Sequence, residues 1–452
     1  MKYDVVIIGG SAAGLIAGKT AKLSHPDKSV LVVRKEEISL VPCGIPYIFS
    51  TLKSIDDNKM GIEPIKKLGV DFLIEEVVKV DVENKKVKTV KTEIEYDKLV
   101  FATGSTPFVP PIEGVDLDGV FIIPKDYDYL KKIMEPISRA KNIVVIGAGF
   151  IGVEVSDELR QKGKDVTLLE AMDRVLPLAF DEDISSIVNE KLVSKGLNIQ
   201  TGHKVMRLVG ENGHVTSVEL DNGDILKADA VILSIGYKPN TKLAAEAGLF
   251  MGRYNSIWTD EYQRTSTPDI FAAGDCAEHK DFFTRKATKL MLASTATFDA
   301  RVAGMNLFGI KMIKQNKGTI SIFSSAIEGL AMGAAGITEA TANREGFEIL
   351  IGKFTAVDRH PGTIPDKSSQ SVKLIFSKSG GTLLGAQVVS GKSAGELINI
   401  LGVAIQQGMS AIDLVTMQVG THPLLTASPT MYPIIVAAES VARDICCGKE
   451  IM

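Results

Sequence analysis

The sequence predicts an α/β protein built from two doubly wound units followed by a C-terminal α+β domain. Three observations predict it. The chain has 452 residues, more than one ordinary core, so two to three domains are expected. An apolar run closed by a small-residue turn occurs twice, at residues 4–14 and again at 142–152. Beyond about residue 327 the texture changes to antiparallel-looking strands and a stretch of helical period.

Composition narrows the function classes. Apolar residues make up 45% and charged residues 23%, as in an ordinary globular protein. A net charge of -4 without a basic tract gives no footprint for nucleic acid. No apolar run reaches the roughly 18 residues of a membrane span. The first strand-like run starts at Tyr3, so no signal peptide is expected. The cysteines Cys43, Cys276, Cys446 and Cys447 are too few for a disulfide framework, and a reducing, cytoplasmic compartment is expected.

In the first unit, Val5-Val6-Ile7-Ile8 runs into Gly9-Gly10-Ser11-Ala12-Ala13-Gly14, which reads as a buried parallel strand turning into a helix. A dinucleotide pyrophosphate would lie on that helix N-terminus, where free N–H groups favour anions. Ser11 stands at the middle glycine of G-x-G-x-x-G and is small enough for backbone approach. The second strand, residues 30–33, ends at Arg34, where the fingerprint expects an acid. Arg34 accepts no hydrogen bond. It is expected to cover an adenine face or meet a phosphate, with Glu36 or Glu37 on the ribose; a solvated surface arginine is the competing reading.

Next comes Ser39-Leu40-Val41-Pro42-Cys43-Gly44-Ile45-Pro46-Tyr47, one thiol among backbone-restricting residues. A thiolate held this way is a candidate nucleophile, and a buried structural cysteine is the alternative. Residues 70–74 and 76–80 are strand-like, and residues 96–105 form a strand leading into the small-residue turn Ala102-Thr103-Gly104. Residues 107–111 are proline-rich and read as a linker.

The pattern then restarts. Residues 142–146 precede Gly147-Ala148-Gly149-Phe150-Ile151-Gly152, a complete G-x-G-x-x-G. A second strand ends at Glu170, 23 residues after Gly147. Its carboxylate would bind both ribose hydroxyls and repel a 2′-phosphate, favouring NADH over NADPH. Residues 230–240, with Gly236, close this unit as strand plus turn, and residues 267–276 give a short strand ending in Gly274-Asp275. In the last segment, strands are expected at 372–376 and 383–389 and a helix at 394–407.

Taken together, these motifs resemble the FAD-dependent pyridine nucleotide–disulfide oxidoreductases over essentially the whole chain. The resemblance rests on the two glycine turns with Glu170, Ala102-Thr103-Gly104, the run from Ser234 to Asn240 and the run from Phe271 to Asp275. It implies a discontinuous Rossmann-like FAD domain at 1–112 and 246–326, an NAD(H) domain at 113–245, and a dimerisation domain at 327–452. FAD would lie on the first turn with Asp275 at its ribitol, and NADH on the second. Further cofactor contacts are expected at Lys35, Pro42, Val77, Ile151 and Gly274. Phe150 matches a gating aromatic, with plain helix packing as the alternative, and Glu154 would face the flavin edge, with a solvated or capping role as its alternative.

Cys43 resembles the single-cysteine branch, whose signature is S-F-x-x-C-G-x-P-Y. Ile48 stands where two-cysteine members carry their second thiol, and Leu40 and Pro42 depart from the signature. That branch includes coenzyme A disulfide reductases, persulfide reductases and NADH oxidases. Peroxide- and oxygen-handling relatives carry a histidine in the first glycine turn, where this chain has Ala12. The expected activity is therefore NADH-dependent reduction of coenzyme A disulfide or a related persulfide, with coenzyme A bound to Cys43; NADH oxidase is the alternative. Bound flavin and nearby helix N-termini are expected to lower the Cys43 pKa. His422 or Tyr432 is expected to serve a partner subunit as proton donor within a homodimer. The pair Cys446-Cys447 resembles the tail of mercuric reductases, with apolar tail residues as the default.

Overall fold

The computed structural model describes residues 1–313 and 317–446. The first strand, Lys2–Ile8, pairs in parallel with Val30–Arg34 on one side and Glu93–Phe101 on the other. Val70–Ile74 extends the sheet beyond Val30–Arg34, while Lys86–Thr89 and Val77–Asp81 extend the other side as antiparallel strands. Ile270–Ala272 returns from far along the chain to pair with Glu93–Phe101. Val5, Val6 and Ile7 are buried on both faces, which explains the continuous apolar run.

The inserted unit repeats the plan. Asn142–Ile146 lies between Asp165–Glu170 and Ala230–Leu233, all parallel, with Asn198–Thr201 and Val120–Ile122 outermost. A three-stranded antiparallel sheet (Val205–Glu211, His214–Leu220, Ile225–Lys227) covers one face through Leu208, Val215 and Val218.

The proline-rich stretch 107–111 is anchored at its start. Ser105–Pro107 pairs antiparallel with Tyr237–Pro239, so the chain enters and leaves the inserted unit through one two-stranded ribbon. Prolines lack the donor that a ladder needs, and Phe108 N and Asn240 N supply it from just outside, to Gly236 O and Gly104 O. Lys242–Glu246 then packs against Val77–Asp81 of the first unit.

The C-terminal domain is a five-stranded antiparallel sheet in the order Phe323–Ile327, Leu330–Gly336, Leu383–Ser390, Ser369–Ser377, Ile349–Val357. The helices Ala394–Gln406 and Pro433–Cys446 pack on it around Leu374, Phe376 and Val388. No helix among the described residues is long and apolar enough to cross a membrane.

Candidate active site

Both glycine turns open onto one cleft of about 1300 Å³, larger than the roughly 300–1000 Å³ of a pocket for one small ligand. Gly9, Gly10, Ser11, Ala12 and Ala13 line it at one end, with Gly147, Gly149, Phe150 and Ile151 across from them. Gly14 and Gly152 lie behind the turns and let helix meet strand. A Cβ on Gly14 would stand 1.9 Å from Gly9 O, and one on Gly152 1.8 Å from Gly147 O. Ala102, Thr103, Gly104 and Gly236 line the cleft between the turns, and Lys35, Pro42 and Val77 border it. Gly274 sits just outside, against Ala13.

Cys43 faces this cleft and is exposed to it. It lies in a short 3-10 turn, Pro42–Gly44, followed by a second, Pro46–Phe49. Asn58 brackets the turn: its Nδ2 donates to Val41 O at 3.1 Å, and Val41 N donates back to Asn58 O at 2.9 Å. A Cβ on Gly44 would fall 2.0 Å from Asn58 Oδ1, so the residue after the thiol is glycine for steric reasons. Ile48, where a second thiol is absent, is 2% exposed and belongs to the core with Ile45 and Phe49. Just beyond, Thr51 donates from N (2.6 Å) and Oγ1 (2.7 Å) to Glu158, which ties the thiol segment to the helix Phe150–Gln161 of the inserted unit.

Arg34 is not a surface arginine. It is 5% exposed, its stem lies against Gly10, and Nη1 donates to Ser39 Oγ at 2.8 Å while Nη2 donates to Glu37 O at 2.6 Å. Ser39 Oγ in turn donates to Gly10 O at 2.7 Å. Arg34 thus fastens the start of the cysteine stretch to the first glycine turn, a role its position after a strand does not reveal.

Asp275 lines the cleft and is 8% exposed. Lys125 Nζ and Ser105 Oγ donate to its Oδ2 at 2.6 and 2.7 Å. Burial pushes the carboxyl up, but the Lys125 ammonium outweighs this and holds it below the ordinary value. Lys125 also lies over the Tyr237 ring, and Tyr237 donates to Ile123 O at 2.5 Å. Lys125 belongs to no motif read from the sequence, and only the fold brings it to Asp275.

The protein's own groups raise the Cys43 pKa rather than lower it. Desolvation contributes most, and the Glu154 carboxylate adds to it; of the charged neighbours only Lys125 pulls the value down, while Asp275 also pushes it up. Glu154 stands one turn into the helix Phe150–Gln161 and lines the same cleft. Its Oε1 accepts from Ser325 Oγ at 2.7 Å and from Tyr47 OH at 3.5 Å. Burial pushes its carboxyl up to about 7. Phe150 packs on Phe323 with ring centroids 4.3 Å apart, forming an apolar wall beside it.

The residues present fit two dinucleotides. Gly149 has nothing within 4 Å of where a Cβ would be, so its backbone is open to close approach by a pyrophosphate. Arg34 Nε is buried at the cleft edge without a partner and can meet a ligand acceptor. Glu170 accepts from Ala148 N and Met172 N, both at 2.9 Å, which fixes its carboxylate at the end of the second strand of the inserted unit.

His422 and Tyr432 do not line the cleft of their own chain. His422 is exposed on a turn, with Nδ1 accepting from Leu424 N at 3.2 Å. Tyr432 is 6% exposed within the C-terminal core, and burial raises its hydroxyl pKa. Cys446 is exposed at the end of the last helix, and Cys447 lies outside the described residues.

A model of the pyridine nucleotide-disulphide oxidoreductases matches residues 3–300, and a model of the dimerisation domain of that family matches residues 322–432. An NADH oxidase of Methanocaldococcus jannaschii is 35% identical, covering 97% of this chain and 99% of its own. An NAD(P)H coenzyme A polysulfide/persulfide reductase of Pyrococcus horikoshii is 34% identical over 97% of this chain and 98% of its own. Among solved structures, an NAD-dependent persulfide reductase from A. fulgidus superposes with a TM-score of 0.91 at 33% identity, covering 99% of this chain and 84% of that one.

Proposed function

The chain belongs to the pyridine nucleotide-disulphide oxidoreductases and is a pyridine nucleotide-dependent flavoprotein oxidoreductase; from that premise we propose that it reduces coenzyme A disulfide or a low-molecular-weight persulfide through Cys43. One observation carries the reading. Cys43 is open to the cleft between the two dinucleotide turns, and Ile48 leaves no second thiol within its motif, which supports a sulfur partner from outside that motif, such as a ligand. Ala12, at the cleft edge, brings no base for peroxide chemistry, and thiol–disulfide exchange requires none for attack.

In this reading Gly9, Gly10, Ser11, Ala13 and Arg34 hold FAD, helped by Lys35, Pro42, Val77 and the Ala102–Thr103–Gly104 turn, with Asp275 at the ribitol. Gly147, Gly149, Ile151 and Gly236 hold NADH, Glu170 takes its ribose, and Phe150 covers the nicotinamide position. When bound, the two cofactors supply the electron pair that returns Cys43 from its mixed disulfide to the thiolate. Cys43 itself attacks the substrate sulfur–sulfur bond, retains one half as a mixed disulfide and expels the other. Lys125 is the cation that favours the thiolate. A partner subunit's His422, on its exposed turn, is a better candidate to reach across a homodimer than buried Tyr432.

The test is anaerobic stopped-flow with NADH-reduced enzyme, mixed separately with coenzyme A disulfide, coenzyme A persulfide and oxygen. Fast reoxidation by a sulfur substrate, lost in Cys43→Ser while NADH still reduces the flavin, is the expected result. Fast reoxidation by oxygen alone overturns it in favour of NADH oxidase, the activity in the name of the M. jannaschii relative.

A further inference from the structure

We propose that His203 is the platform on which the adenine of NADH stacks, with Asp221 holding its ring in place. The inference rests on the placement of NADH at the second glycine turn and adds to it the residue that meets the base.

The parallel strands of the inserted unit lay out the site in order. Asn142–Ile146 runs into the glycine turn, its neighbour Asp165–Glu170 ends at the ribose carboxylate, and Asn198–Thr201 lies one strand further out. Dinucleotides bind outside the carboxyl ends of such strands. Neighbouring strands stand about 4.8 Å apart, so a nucleotide with its pyrophosphate at Gly149 and its ribose at Glu170 carries its base toward the end of the outer strand. Thr201 is the register partner of Glu170, and His203 follows it by two residues.

Contacts bring His203 to this place. His203 N donates to Glu170 O at 3.4 Å, and Gly202 N donates to Met172 O at 2.7 Å, so the backbones beyond the two strands run side by side. Glu170, Met172, Leu178 and His203 all line the cleft. Leu178 is 84% exposed, and Met172 is exposed as well. Bulky apolar side chains left open beside a ribose carboxylate give a flat base surface to cover, and His203 supplies the aromatic face among them.

The ring is held from behind. His203 Nδ1 lies 3.4 Å from Asp221 Oδ1, and Asp221 N donates to Lys204 O at 2.9 Å. Asp221 sits in the turn between His214–Leu220 and Ile225–Lys227, so the antiparallel sheet on this unit also fixes the platform. A ring ordered before the ligand arrives loses less freedom on binding. The adenine is common to NADH and NADPH, so His203 acts on both alike, whereas Glu170 acts on the choice between them.

The test separates the two halves of the dinucleotide. Oxidised holoenzyme, with FAD bound, is titrated calorimetrically with ADP-ribose. Flavin reduction is then followed anaerobically with NADH, with NADPH and with reduced nicotinamide mononucleotide, which has no adenosine. His203→Ala is expected to weaken ADP-ribose binding about tenfold and to raise the half-saturating NADH and NADPH by the same factor. The limiting rate, and the rate with the mononucleotide, should be unchanged. His203→Phe, which restores an aromatic face, is expected to bind ADP-ribose within about threefold of wild type. Unchanged ADP-ribose affinity in His203→Ala, an equal loss with the mononucleotide, or His203→Phe no better than His203→Ala overturns the proposal. Glu170→Ala tests the placement beneath it: if ADP-ribose binding survives that change intact, the assignment of NADH to the second glycine turn itself falls.

Discussion

The buried Glu154 carboxyl has a consequence for stability. Its folded pKa, about 7, is above the ordinary 4.5, so the folded state holds a proton that the unfolded state gives up. Stability from this group is full below the unfolded value and falls as pH rises through the folded one. Glu154→Gln is therefore expected to match wild type near pH 4 and to be more stable at pH 8 by roughly 1–3 kcal/mol, read by urea unfolding at both pH values. At the other end of the cleft, Glu170→Ala removes the carboxylate that would repel a 2′-phosphate. It should weaken NADH binding and narrow the preference for NADH over NADPH about tenfold or more, measured as the ratio of kcat/KM values. Cys43 and Glu170 were legible in the sequence because each sits at a fixed offset inside a local motif. The Tyr47–Glu154–Ser325 cluster was not, because it joins three segments that only tertiary packing brings together. Arg34 was half legible: its place after a strand pointed to the cofactor, but its fastening of Ser39 to the glycine turn needed coordinates.

The central parallel strands of the two units and their glycine turns could be read from the sequence, since buried parallel strands are unbroken apolar runs and their turns are made of small residues, whereas the antiparallel sheet of Val205–Glu211, His214–Leu220 and Ile225–Lys227 went unread. The strand expected at residues 70–74 is Val70–Ile74, and the helix expected at 394–407 is Ala394–Gln406. The ribbon of Ser105–Pro107 with Tyr237–Pro239 was not foreseen, because its two strands are only three residues each and lie more than a hundred residues apart; only Pro107 of the stretch read as a linker belongs to it. Close packing at the turns gives a prediction for the element as a unit. Gly152→Ala places a Cβ 1.8 Å from Gly147 O, so helix Phe150–Gln161 must move away from its strand. A loss of about 1–3 kcal/mol is expected, with weakened NADH binding and unchanged FAD content, measured by thermal unfolding and by titration of each cofactor.

Across the whole molecule, the inserted unit is joined to the C-terminal domain through Lys373. This lysine is 1% exposed, and its ammonium lies 3.0 Å from Asp181 and from Asp183 and 2.8 Å from Glu339. Gln387 Nε2 adds a hydrogen bond to Asp181 at 2.6 Å. Nothing in the sequence around Lys373 marks it, since it interrupts a strand as an isolated charge. Lys373→Met leaves three carboxylates around a cation site without its cation, and a destabilisation of about 2–4 kcal/mol is expected in chemical unfolding. Removing one of the three negative charges with Asp181→Asn in the same chain should recover part of that loss.

The bond from Thr51 to Glu158, the ribbon after Gly104 and the Lys373 cluster attach the inserted unit at three different places. A body pinned at three places has no swivel left. Rocking of one lobe on another would have to break these ties, so ligand entry is expected to fall to side chains such as the Phe150 ring, whose rearrangements are fast compared with lobe motions.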